Sequence, residues 1–145
     1  MKKLNNKGFT IIEVVLVLAM AGLIFLVVFL ALPQLQRSRR DTQRRGDAGK
    51  VVASLEAYAG NNNGNYPNST NFTANFRNTY VNGKLSKPDG GNYTASYNTA
   101  VNPTLDRIYV SVGEGTDCDG NAVTNARHAV VRVGLEEGVY CQDNR

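Results

Sequence analysis

Histidine is nearly missing from this chain: His128 stands alone among 145 residues. A general base needs a nucleophile or a water-activating partner beside it, and no such constellation accompanies His128, which alternates with an apolar row and reads as a surface strand residue. Cysteine is almost as scarce. Cys118 and Cys141, widely separated and with one histidine to join them, make a poor zinc site. No glycine-rich loop precedes a helix to cradle phosphate. These gaps argue against an enzyme. The excess of basic residues is also small, 16 Lys and Arg against 12 Asp and Glu for a net charge of +4. Three of those cations, Lys2, Lys3 and Lys7, stand at the very start, which leaves the remainder closer to neutral and unlike a basic nucleic-acid protein.

The longest absence is of charge. Residues 14–32 carry no ionisable side chain, and as a helix rising about 1.5 Å per residue they cover roughly 30 Å, the thickness of a bilayer core. A secretory signal has a shorter apolar region and a small-residue cleavage site after it; this run passes straight into Pro33-Gln34-Leu35-Gln36. One acid, Glu13, stands at its mouth. A carboxylate in hydrocarbon costs about 2.5–3.5 kcal/mol on insertion scales, so an intramembrane acid implies a partner.

Beyond the run, Val51, Val52, Leu55 and Tyr58 recur at helical spacing with Ala48 and Ala59 nearby, which predicts an amphipathic helix. Gly22 and Pro33 weaken it, proline by about 3 kcal/mol in an interior. Arg37, Arg40 and Arg44 share a face, with Asp41 placed to pair with Arg37 or Arg45. That block suits anionic lipid headgroups as well as it suits a solvated helix face. Gly60-Asn61-Asn62-Asn63-Gly64-Asn65-Tyr66-Pro67 ends the helix, because Gly and Asn take left-handed caps and Pro cannot continue it. Phe72, Phe76 and Tyr80 predict a short helix whose aromatic stripe belongs to the core. Tyr93–Tyr97, Arg107–Val112 and Arg127–Leu135 alternate as half-buried strands, and Glu136-Glu137-Gly138 turns into a further one at Val139. Packed on the long helix, they predict an α+β fold with a small antiparallel sheet.

The run Lys7-Gly8-Phe9-Thr10-Ile11-Ile12-Glu13 ahead of the apolar stretch resembles the type IV pilin family. Its class III leader is a short basic peptide ending in glycine, followed by phenylalanine and, four residues on, glutamate. The resemblance implies a leader at 1–8 cut between Gly8 and Phe9 by a prepilin peptidase that also methylates the new amine. It implies a membrane and filament-core helix at 9–35, an amphipathic continuation at 36–59 and a globular head at 60–145. Glu13 of one copy would then pair with the Phe9 amine of a neighbour as helices stack in stagger, since opposite charges attract strongly where the dielectric is low. A glycine falls in the family where Gly22 does, but the family's helix-breaking proline belongs at Leu30, three residues before Pro33.

The charge rule is ambivalent about orientation, because Arg37, Arg39, Arg40, Arg44 and Arg45 oppose the N-terminal lysines. The processing motif requires a cytoplasmic leader and puts residues 34–145 outside. There an oxidising compartment admits a disulfide between Cys118 and Cys141, with two free thiols as the alternative; the C-terminal disulfide loop of many pilins is similar in position. Asp117, Asp119 and Asn121 resemble a fragment of a calcium loop, though a plain Asp-Gly turn accounts for them as well.

By the same resemblance, the expected partners are further copies of the chain, the membrane before assembly, an assembly ATPase and a platform protein. The filament would serve adhesion, twitching motility or DNA uptake. The order Asn-Gly-Asn-Tyr-Pro, short helix, Pro-Asp-Gly-Gly-Asn-Tyr is also similar to major pseudopilins of type II secretion and competence systems. An uncleaved, membrane-anchored binding domain is the reading outside that superfamily.

Overall fold

Helix α1 begins where the sequence can satisfy its own first amides. Thr10 Oγ1 accepts from the Glu13 amide at 3.4 Å, while Glu13 Oε2 accepts from Thr10 N at 2.9 Å and from Thr10 Oγ1 at 2.8 Å. This reciprocal capping box opens a helix that runs Ile11–Asn61. The structure, a computed structural model, describes residues 8–97 and 102–144; the leader residues Lys2, Lys3 and Lys7 lie outside them. Two compact units divide the chain after Ser38. In the first, the apolar window of α1 has a mean hydropathy of 3.2 and is 0% buried among the described residues.

Both expected weak points are helical. Gly22 has open space where a Cβ would stand, and Pro33 lies inside α1, which ends at neither residue. A proline removes a single N–H from the ladder, and the apolar turns on either side keep their own bonds. Both residues weaken the helix without ending it, and α1 runs through them to Asn61.

In the second unit α1 turns a stripe inward. Ala48, Val51, Val52, Leu55, Tyr58 and Ala59 are buried at the spacing the sequence announces. The helix stops as expected: Asn63 and Gly64 both take positive φ, 56° and 80°, and Gly64 N donates back to Ala59 O at 2.8 Å. After Asn68 caps the short α2 (Ser69–Asn71) through Asn71 N, the aromatic segment Phe72–Val81 forms a π-helix. Its wider turn brings residues four and nine apart onto one face, so Phe72, Phe76 and Val81 are all buried. Tyr58 meets Phe76 and Tyr80 edge-on, at 5.8 and 5.6 Å between ring centroids. The aromatic stripe is core.

Strands β1 (Thr94–Tyr97), β2 (Arg107–Val112), β3 (Ala129–Leu135) and β4 (Gly138–Asp143) lie in that order in one sheet. The sheet is mixed, which corrects the antiparallel expectation. β2, β3 and β4 pair antiparallel, but β1 pairs parallel to β2, Thr94 with Arg107 and Tyr97 with Val110. Alternation of apolar residues fixes which side chains share a face and is blind to strand direction. A second correction concerns β3, which is buried along its whole length. Pro103–Thr104 crosses its far face so closely that a Cβ on Gly134 would stand 2.7 Å from Pro103 O.

Candidate processing and assembly site

At the junction singled out in the sequence, Gly8 and Phe9 are exposed. Gly8 has nothing within 4 Å of where a Cβ would be, and the Phe9 side chain is 90% exposed. Phe9, Glu13, Val14, Val17 and Leu18 line a shallow groove of about 500 Å³ on the helix. Its walls are apolar and its one charged group is the Glu13 carboxylate, which Thr10 holds from within the chain. Thr10 was readable as a Thr-x-x-Glu signature ahead of an apolar run, yet only the geometry shows that the acid has a partner within its own helix. The exposed apolar surface continues through Phe29 and Leu30, each 73% exposed. A contiguous patch of that size marks a surface that meets lipid or protein.

The arginine block divides into two groups. Arg40 Nε and Arg44 Nη1 both donate to Glu136 Oε1, at 3.0 and 3.1 Å. Arg44 Nη1 also donates to Asp41 Oδ1 at 2.9 Å, and that same oxygen accepts from Glu136 N at 3.0 Å. Asp41 thus pairs with Arg44, three residues on, instead of Arg37 or Arg45. These arginines tie α1 to the β3–β4 turn. The Arg44 hydrogen bond, with the charges of Arg40 and Arg44, holds the Glu136 carboxyl below its ordinary value of 4.5. Nearby, burial and then the Asp47 charge push the Tyr93 phenol up to about 12. Arg37, Arg39 and Arg45 remain exposed, Arg45 with its guanidinium 5.6 Å from the centroid of the Tyr140 ring. Glu136 carried no sequence signal for this role, because it lies 96 residues from Arg40.

Cys118 and Cys141 form a disulfide with Cα atoms 5.6 Å apart. In the neighbouring acidic loop the Asp117 carboxylate is already engaged within the chain. The Asp117 carboxylate accepts from Asp119 N at 2.9 Å, Asn121 N at 2.8 Å and Asn121 Nδ2 at 3.2 Å. Arg132 Nη2 donates to Thr116 O, and also to Thr116 Oγ1 and Asp117 O at 3.2 Å each. Both Asp117 carboxylate oxygens are thus turned to N–H groups, as in an Asp-Gly turn. Among the described residues no three His, Cys, Asp or Glu side chains gather as a metal site. His128 is half-buried and stands just before β3 rather than on a strand surface, with Nε2 3.6 Å from Asp143 Oδ2.

The described residues form a small α+β unit and a helix long and apolar enough to cross a membrane once. Compared with protein-family models, curated proteins and solved structures, the chain matches none.

Proposed function

We propose that the chain is a prepilin: it is cut after Gly8, methylated on Phe9, and polymerised through α1 into a type IV surface filament. The observation that carries this is the Lys7-Gly8-Phe9 junction with Glu13 four residues on, set at the head of an apolar helix face that the described residues leave uncovered. An uncovered face of this length needs lipid before assembly and copies of itself afterwards, because exposed apolar area costs about 25 cal/mol per Å² in water. The cut supplies what Glu13 lacks, a cation at membrane depth. A neighbour's Phe9 amine can then displace the Thr10 contacts from the carboxylate.

In this reading the leader is cytoplasmic, the head lies outside, and a peptidase, an ATPase and a platform protein act on the chain. Adhesion, twitching motility and DNA uptake are the roles such a filament serves. Arg37 and Arg39 suit anionic headgroups, since Arg40 and Arg44 are engaged by Glu136. The Pro88-Asp89-Gly90-Gly91 turn, closed by Lys87 N on Gly91 O at 3.1 Å, favours a pseudopilin as the second reading, and imaging of long surface fibres containing the chain separates the two. Mass spectrometry of the native protein tests the proposal itself: the expected N-terminus is N-methylated Phe9. An intact Met1 would assign the chain to uncleaved membrane-anchored domains.

A further inference from the structure

A groove of about 860 Å³ lies in the head where α1 ends. One wall is the segment after the helix, from Asn61 to Asn71; the other is formed by Val112–Glu114 and Ala126–Arg127. Two half-buried aromatic rings, Tyr66 and Tyr97, line it, and both hydroxyls are tied into the walls. Tyr66 Oη accepts from Asn144 Nδ2 at 2.9 Å, and Tyr97 Oη donates to Val112 O at 2.9 Å. Asn144 Nδ2 also donates to Arg127 O at 3.0 Å, so one side chain locks a ring and the opposite wall together. The rings are fixed platforms.

Around them stand exposed amides that the fold does not use. Asn61, Asn62 and Asn68 have internal bonds, whereas the side chains of Asn63, Asn65 and Asn71 have no partner among the described residues. Each offers two donors and an acceptor with two lone pairs. The Arg127 guanidinium lies against Gly64, where a Cβ would stand 3.6 Å from Nη2, and among the described residues no carboxylate forms an ion pair with it. Glu114 on the same wall offsets its charge, so the described lining carries one acid and one base and is rich in hydrogen-bonding groups.

Fixed aromatic faces set among neutral amides fit one ligand chemistry better than others. A sugar ring presents an apolar C–H face to stack on tyrosine and vicinal hydroxyls that both donate and accept, which amides match. A polyanion would require a cationic wall, and an apolar ligand would strand the amides unpaired. We propose that this groove binds a neutral oligosaccharide, with Tyr66 and Tyr97 as stacking platforms, Asn65 and Asn71 bonding its hydroxyls, and Arg127 donating to a ring substituent such as an acetamido oxygen. The site belongs to the single chain and goes beyond the filament reading.

The test uses the full chain in a detergent without a sugar headgroup, titrated with chitotriose, maltotriose and cellotriose and read by saturation-transfer NMR and calorimetry. At least one trisaccharide is expected to bind, with the Tyr66 and Tyr97 ring resonances shifting. The double variant Asn65→Ala, Asn71→Ala should bind it at least tenfold more weakly with an unchanged melting temperature, since neither amide holds the fold together. Filament assembly, read separately, should be unaffected by the double variant. Absence of binding by all three sugars at millimolar concentration overturns the proposal. So does parental affinity in the double variant, or binding of sulfated heparin alone through Arg127.

Discussion

Glycine 134 shows how one residue can be demanded by a neighbour far away in sequence. Its place in β3 looks like a gap in an apolar row, yet Pro103 O, Thr104 C and Thr104 O lie within 2.7, 2.8 and 2.9 Å of where a Cβ would be. Those are backbone atoms, which cannot swing aside as a side-chain tip can. Gly134→Ala should therefore destabilise the head by about 1–3 kcal/mol, the usual range for overpacking, measured as a lowered urea midpoint at unchanged slope. A midpoint equal to that of the parent would mean that the Pro103–Thr104 segment shifts freely. Arg132 is a similar case: a charged side chain in a strand of valines, it is buried because Thr116 and Asp117 supply oxygens for its guanidinium.

Secondary-structure elements here are held in register by charge as well as by apolar burial. Arg40, Asp41 and Arg44 on α1 meet Glu136 at the β3–β4 turn, and the disulfide joins β4 to the loop before β3. Closing the Cys118–Cys141 loop stabilises by about 3 kcal/mol on chain-entropy grounds. The Glu136 contribution depends on pH. Its folded pKa is depressed below the ordinary 4.5 by the Arg44 hydrogen bond, so its stabilisation is fully present above about pH 4.5 and is lost as pH falls through the lower folded value. Thermal unfolding of the full chain between pH 6 and pH 2 should show a fall in melting temperature in the acid part of that range, one that Glu136→Gln makes shallower. A Glu136→Gln profile parallel to that of the parent would mean that the ion cluster contributes nothing to the folded state.

For the protein taken entire, the decisive experiment separates two roles of one acid. Glu13 both closes the capping box with Thr10 and, in the proposed filament, receives a neighbour's amine. Glu13→Ala should still insert and be cleaved, but filament yield should fall severely; Thr10→Ala, which removes the hydroxyl and keeps the carboxylate, should assemble close to normally. Equal failure of the two, read by shearing and weighing fibres, would reduce Glu13 to a helix cap. Much of this was legible without coordinates. The apolar run, the inward stripe Ala48, Val51, Val52, Leu55, Tyr58, the stop at Asn63-Gly64 and the aromatic row from Phe72 all follow from local periodicity and from residues with strong backbone preferences. The parallel pairing of β1 with β2, the covered far face of β3, the division of the arginines by Glu136, and the groove built from both sides of Asn144 do not. Spacing along a chain records which side chains can share a face, because that depends on the rise and twist of one element. Which two faces then meet depends on contacts between residues dozens of positions apart, and those are fixed only when the chain has packed.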